Sequence, residues 1–157
     1  MSPARFPSPL GIEMSVRVRL ATAADAEQIT QLSGQLGYPA TTAETLRRLV
    51  EIGSNGEHAV LVAESGGILL GWIHVVVSHS LLTERRAEIA GLVVDEQHRS
   101  RGIGQVLMED AEEWARKQGC DSVRLHSNVL RPRAHTFYER LGYHVTKLQK
   151  AFRKELA

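Results

Sequence analysis

Arg99 begins a short basic, glycine-rich segment, Arg-Ser-Arg-Gly-Ile-Gly, that ends at Gly104. An apolar run precedes it (89–94) and an amphipathic stretch follows it (103–117), so a strand, a turn and a helix N-terminus come in that order. Glycine lets the backbone approach an anion, and the first N–H groups of a helix have no intrahelical partner and lie at the positive end of its dipole. Arg101 adds a second full charge. The segment therefore predicts a phosphate-binding site.

Two common phosphate ligands fit this segment poorly. A nucleoside-triphosphate loop needs Lys and then Ser or Thr after its last glycine, where this chain has Gln105 and Val106. A dinucleotide-binding turn needs a third glycine where the chain has Leu107, and an acidic residue at the end of the next strand, where it has none. Neither motif is complete, so another phosphate ligand is indicated.

Composition favours one ordinary globular domain. The 157 residues are 43% hydrophobic and 24% charged, with a formal net charge of +1. This small charge disfavours nucleic acid and membrane as partners. The single cysteine, Cys120, has no partner for an internal disulfide, which predicts a reducing, cytoplasmic location.

The N-terminal segment differs from the rest of the chain. It is rich in proline and lacks the apolar stretch of a secretory signal, so we predict a disordered tail over 1–14, with Met14 as an alternative start. Residues 15–157 are then predicted to form one domain.

The remaining patterns predict the element order β-α-α-β-β-β-α-β-α-β-β. Capping-box sequences at Thr22 and Thr41 predict the first two helices, and Pro132 predicts the start of the last one. The predicted strands and the long helix are 16–20, 59–64, 68–77, 87–94, helix 103–117, 122–127, 143–145 and 147–153.

Two motifs on these elements resemble the GNAT superfamily of N-acetyltransferases. Arg99, Gly102 and Gly104 match its acetyl-CoA signature, Arg/Gln-x-x-Gly-x-Gly/Ala, and the segment from Ala134 to Tyr143 matches small-x-x-Phe-Tyr-Glu-x-x-Gly-Phe/Tyr. With the element order, the resemblance covers roughly 16–154. It implies an α/β (α+β) fold, a mixed, mostly antiparallel twisted sheet with about four flanking helices. It also implies acetyl-CoA as co-substrate, and the spacing of the histidines predicts no metal site.

The resemblance also implies which residues bind acetyl-CoA. The strand before the turn offers backbone groups to the pantetheine arm, and an N–H of Leu92 or Val93 would steady the oxyanion. Asn128 would bind the pantetheine amides or orient Tyr138, although a turn-forming Asn is an equal alternative. The cofactor residues implied are Leu92, Val93, Val94, Arg99, Ser100, Arg101, Gly102, Ile103, Gly104, Gln105 and Asn128.

Two side chains are the predicted catalytic groups. Tyr138 matches the family tyrosine that protonates the departing thiolate, and the alternative is that it only packs with Phe137. Glu88 is the predicted general base. Strict alternation makes it face the same way as Ala90, Leu92 and Val94. The alternatives are an electrostatic anchor for a cationic amine, and a surface ion pair of Glu88 with Arg85 or Arg86. With either alternative the amine would lose its proton through water or strand backbone.

The function predicted from sequence is acetyl transfer from acetyl-CoA to a primary amine of a small molecule or peptide, by direct attack in a ternary complex. The alternatives are a non-catalytic acyl-CoA-binding regulatory module and a plain interaction domain. The sequence leaves open whether the protein forms a homodimer. His74 and Tyr38 could line the acceptor pocket. The histidines lack the spacing of metal ligands. The sequence does not identify the acceptor.

Overall fold

The computed structural model describes residues 4–7, 13–127, 129 and 131–157. Its core is a six-stranded sheet in the order β1-β2-β3-β4-β5-β6, antiparallel throughout except for the parallel pair β5–β6. The strands are β1 Ala4–Pro7, β2 Glu13–Leu20, β3 His58–Ser65, β4 Ile68–Ser80, β5 Thr83–Val94 and β6 Val123–Leu125. The helices are α1 Ala26–Gln35, α2 Thr42–Gly53, α3 Ile103–Lys117 and α4 Pro132–Arg140.

Local sequence explains where the helices begin. At α2, Glu44 N donates to the Thr41 hydroxyl at 3.1 Å, and the Glu44 carboxylate accepts from Thr41 N at 2.9 Å, as the capping box predicts. At the first predicted start, Thr22 N donates to Asp25 Oδ2 at 2.7 Å, and a single 3₁₀ turn precedes α1. α3 has the predicted bounds.

The two faces of the sheet are packed by different helices. On one face, called the α3 face, Ile73 and Val75 are completely buried, and Leu107 of α3 lies so close to Gly71 that a Cβ there would be 3.1 Å from its Cδ1. On the other face, Ile29 and Leu32 of α1 form a core cluster with Val62, Leu69 and Val93. The end of β5 is therefore held between two apolar layers.

A β-bulge at Ala90 interrupts β5. His74 lies opposite Gly91, but the next residue of β4, Val75, lies opposite Ile89, so one extra residue is inserted in β5. Paired residues of an antiparallel ladder share a face, so Ile89 and Leu92 both lie on the α3 face. Glu88 lies on the other face. The prediction that Glu88 faces the same way as Leu92 and Val94 is therefore wrong, because the inserted residue reverses the alternation.

Several predicted elements at the chain ends also differ. The predicted strands 143–145 and 147–153 are wrong, since the structure places no strand or helix in 143–157, where Val145 and Phe152 are exposed. Alternating apolar residues form a strand only where a neighbouring strand accepts their hydrogen bonds. Within the predicted tail, Ala4–Pro7 forms a strand paired with Glu13–Val16 that extends the open edge of β2, and the assignment of 1–14 as a tail stays a prediction.

The chain forms two compact units, Met1–Leu125 and His126–Ala157. The first contains the sheet with α1, α2 and α3, and the second contains α4. The assignment of 15–157 to one domain stays a prediction. None of the helices in the described ranges combines the length and apolar composition that crossing a membrane requires.

Candidate active site

The chain that leaves β5 is held by the end of α1. Asp95 N donates to Leu70 O at 2.8 Å, and Gln35 both accepts from Glu96 N and donates to Asp95 Oδ1, each at 2.9 Å. His98 Nδ1 lies 2.5 Å from the other Asp95 oxygen. Burial alone would raise the pKa of Asp95, but the hydrogen bonds from Gln35 and His98 lower it below its ordinary value. An ionised Asp95 therefore fixes the start of the basic turn at neutral pH.

The basic turn enters α3 through a left-handed residue. Gly102 is the N-cap with φ +86°, and Ser100 also has a positive φ of 63°. Among the described residues no side chain caps α3, and its first turn carries no acidic residue. The first N–H groups of α3 are thus open to an anion, as are those of any uncapped helix.

The arginines of the turn are placed differently. Arg99 Nε donates to Val94 O at 3.4 Å, which ties it to the end of β5. Arg101 is half-buried, and its Nη1 has no hydrogen-bond partner within the described ranges. An unpaired guanidinium N–H beside an uncapped helix N-terminus favours an anionic ligand. Of the other predicted cofactor residues, Ile103 is buried in the core and Gln105 donates to Glu109 on its own helix at 2.9 Å.

β5 has an open edge beyond the bulge. The β5–β6 ladder pairs Ala87 with Val123, Glu88 with Arg124 and Ile89 with Leu125, and ends there. β5 continues to Val94, so 90–94 have no strand partner on that side in the part of the chain that the structure describes. The predicted pantetheine-binding residues Leu92, Val93 and Val94 lie in this segment, and an extended ligand can pair with such an edge.

Glu88 is engaged by an arginine that sequence reasoning missed. Its Oε1 accepts from Arg124 Nη2 at 2.7 Å and from Arg124 Nε at 3.1 Å. The predicted alternative was an ion pair of Glu88 with Arg85 or Arg86. Glu88 does form an ion pair, but its partner is Arg124. Arg124 lies 36 residues away along the chain and reaches Glu88 only because β6 pairs with β5 in that register.

We call the side of the sheet that carries Glu88 the Glu88 face. The strand pairing places on it, from neighbouring strands, the residues His58, His74, Val76, Ser78, Arg86, Glu88 and Arg124. All seven are half-buried. Solvent therefore reaches this part of the sheet, beside the β5 bulge.

Two histidines on the Glu88 face form a pair. His58 Nδ1 and His74 Nε2 are 2.9 Å apart, and the rings stack with centroids separated by 5.2 Å. Burial, and then the neighbouring His58, lower the pKa of His74 from 6.5 to about 4. His74 is therefore uncharged at neutral pH. The sequence suggested His74 but not His58, because the pairing depends on the register of β3 against β4.

This pair predicts an acid-sensitive fold. Between pH 6.5 and about 4 the unfolded chain protonates His74 and the folded chain does not, so stability is lost as pH falls through that window. After allowing for partial exposure, we expect the free energy of unfolding attributable to His74 to drop by about 2 kcal/mol from pH 7 to pH 4.5. Urea unfolding at both pH values checks this. His74→Gln should have a smaller pH dependence, the exposed His144→Gln should keep that of wild type, and identical slopes in all three proteins would contradict the prediction.

Tyr138 lies on α4 in the second unit. Its ring contacts Phe137 at 5.1 Å and Tyr143 at 6.0 Å between centroids, both edge to face. Burial raises the pKa of the Tyr138 phenol above its ordinary value, and Arg131 only partly offsets this. The phenol is thus protonated at neutral pH and able to donate, so the role of general acid stays a prediction alongside the predicted packing.

Two other predicted site residues remain. Asn128 lies outside the described residues, and Tyr38 is 65% exposed.

The fold and this site define a class of protein. The model of the Acetyltransferase (GNAT) family matches residues 26–143, and the chain belongs to that family. The predicted superfamily and fold class are confirmed.

The sequence identity between this chain and individual relatives is modest. The chain is 33% identical over 93 residues to the probable N-acetyltransferase family 8 member 5 of Mus musculus, a match that covers 59% of this chain and 41% of that protein. It thus spans about two fifths of the length of this curated relative. Among solved structures, a transcriptional regulator from Bacillus halodurans has a TM-score of 0.80 at 27% identity, over 88% of this chain and 99% of the other. The aminoglycoside N-acetyltransferase AAC(6')-Iy in complex with CoA has a TM-score of 0.83 at 18% identity, over 91% and 97% of the two chains.

Proposed function

We propose that this chain transfers the acetyl group of acetyl-CoA to a primary amine of a small molecule or peptide. The observation that carries the proposal is the uncapped N-terminus of α3, entered through Gly102, directly after a strand whose last five residues, 90–94, have an open edge. The family supports acetyl transfer, and a structural neighbour at 18% identity is described as a complex with CoA.

Each part of acetyl-CoA has a proposed binding group. The pyrophosphate binds the first N–H groups of α3 together with Arg99 and Arg101. The pantetheine arm pairs with the open edge at Leu92, Val93 and Val94, and an N–H of Leu92 or Val93 stabilises the oxyanion. The thioester supplies an activated acetyl group.

The proposed reaction is a direct attack. The neutral amine nitrogen forms a bond to the thioester carbon, the C–S bond breaks, and the thiolate takes the proton of Tyr138. No acyl-enzyme is needed. Burial raises the pKa of Cys120, the one cysteine of the chain, which makes it a poor nucleophile.

The amine proton leaves through water or strand backbone in this proposal, rather than through Glu88. Glu88 is held by Arg124 and lies on the opposite side of β5 from Leu92. We therefore assign Glu88 an electrostatic role beside the site.

Glu88→Gln separates these roles. We expect kcat to change by less than about threefold and the acid limb of the pH–rate profile to stay in place, because no catalytic proton is lost. The measurement is kcat and kcat/KM from pH 6 to 9, with the exposed Glu84→Gln on the same strand as control. A fall in kcat of roughly a hundredfold with a displaced acid limb would make Glu88 the base after all.

The test of the proposed function is thiol release from acetyl-CoA across a panel of amines, with calorimetry for CoA binding. Turnover with at least one amine, and formation of its acetamide, supports the proposal. CoA binding without turnover on any amine would favour the regulatory module, and failure to bind CoA would leave an interaction domain. A cytoplasmic location is part of the same proposal.

A further inference from the structure

Arg86 has an unused guanidinium on the Glu88 face. It lies opposite Ser78, one pleat from Glu88, and its Nε is buried with no hydrogen-bond partner among the described residues. It takes part in no ion pair there, because the nearby carboxylate of Glu88 is bound by Arg124. A buried guanidinium N–H without a partner costs free energy unless a ligand pairs with it.

Carboxylates on this side of the sheet are already bound by other arginines. The Glu88–Arg124 pair is neutral as a unit, and His74 is uncharged at neutral pH because burial lowers its pKa. Further along the sheet, the carboxylates of Asp25 and Glu64 are both engaged by Arg19, at 2.8 and 3.1 Å. Within the described residues, Arg86 is therefore an arginine of the Glu88 face that no carboxylate pairs with.

The position of this charge relates it to the proposed reaction. Arg86 precedes the bulge at Ala90 by four residues, about 13 Å of strand. An arginine side chain extended along the strand would bridge part of that distance, so the proposal requires an acceptor about the size of a dipeptide or an amino sugar. The apolar core beneath α1 covers this side of the sheet at Val62 and Val93, and Arg86 lies outside that cluster and is half-buried.

Building on the proposed function, we propose that the amine acceptor carries an anionic group, and that Arg86 binds this group while the amine points toward the bulge at Ala90. Guanidinium binds carboxylate and phosphate in the same forked geometry, so the shared requirement is an anion at a set distance from the amine. Polycationic acceptors are disfavoured, because they would meet the guanidinium of Arg86 at this position.

Matched acceptor pairs test this proposal. We would compare glycylphenylalanine with its C-terminal amide, and glucosamine 6-phosphate with glucosamine, with spermidine as the cationic probe. We expect at least one anionic acceptor to have a kcat/KM about tenfold above its neutral partner, as one charge-assisted hydrogen bond provides. The pair that shows the preference tells whether carboxylate or phosphate is the anion.

Variants then locate the preference. Arg86→Gln should raise KM for the anionic acceptor about tenfold, leave kcat within about twofold, and leave the neutral partner unaffected. Arg86→Lys should retain part of the preference, and Arg116→Gln, on an exposed arginine of α3, should match wild type. Equal kcat/KM within both pairs, spermidine as the best substrate, or a preference that survives Arg86→Gln would overturn the proposal.

A binding measurement keeps this test independent of turnover. Calorimetry on the CoA-loaded protein would compare N-acetylglycylphenylalanine with its amide, and N-acetylglucosamine 6-phosphate with N-acetylglucosamine. Tighter binding of a charged ligand that Arg86→Gln abolishes supports the inference even if no amine is acetylated. Equal binding within both pairs refutes it, whereas loss of turnover alone refutes only the proposed function.

Discussion

Gly102→Asp is expected to lower the affinity for CoA by roughly a hundredfold or more while the protein stays folded. Two unit charges about 4 Å apart repel by about 4 kcal/mol at an effective dielectric constant of 20, and the new carboxylate would lie where the pyrophosphate is proposed to bind. Gly102 is the N-cap of α3, so its side chain would also compete for the open N–H groups of that helix. Calorimetry with CoA, together with thermal unfolding, measures both effects.

The left-handed backbone of Gly102 requires a matched control. Its φ of +86° strains any side chain, whatever the charge. Gly102→Asn has nearly the same shape as Gly102→Asp, and Asn tolerates this conformation better than most residues. We expect Gly102→Asn to lose much less CoA affinity than Gly102→Asp. If the two variants bind CoA equally well, strain rather than charge governs the turn, and the phosphate assignment loses its main support.

Tyr138→Phe is expected to reduce kcat by roughly a hundredfold with the acceptor that the panel identifies, with the Kd for CoA nearly unchanged. The substitution removes only the phenolic O–H. The ring contacts with Phe137 and Tyr143 remain, so the unfolding midpoint should hardly move. Because burial raises the pKa of this phenol, any loss of kcat from its ionisation should begin at a higher pH than for an ordinary tyrosine.

Tyr143→Phe is the matched control for that experiment. It removes a phenolic O–H from the same aromatic cluster, and we expect it to retain activity within about threefold. A Tyr138→Phe protein with a kcat within a factor of about two of wild type would return Tyr138 to a packing role and leave the thiolate to be protonated by water.

The basic turn shows how far local sequence goes. Rules that involve neighbouring residues only predict a glycine-rich turn here and the start of α3 at Ile103. The structure has both, with Gly102 in the left-handed conformation at the N-cap. The capping box at Thr41 is another local feature of this kind. These features depend on φ, ψ and on hydrogen bonds that span three or four residues, so a single segment contains all the information needed.

Glu88 shows where this reasoning stops. Strict alternation placed its side chain with Leu92, and the bulge at Ala90 put it on the other face. A bulge depends on how β5 packs against β4, which β5 alone does not encode. The partner of Glu88 likewise depends on the parallel register with β6, which brings Arg124 within 2.7 Å.

The sequence by itself determined the family, the basic glycine-rich turn into α3 and the helix starts, because the motifs and caps behind them involve residues close together in the chain. Only the tertiary structure decided which way Glu88 faces, that His58 pairs with His74, and that Arg86 Nε is left without a partner among the described residues. Each of these depends on the register of one strand against another. Register is set by the summed packing of distant segments, and a shift of one residue exchanges every side chain between the two faces.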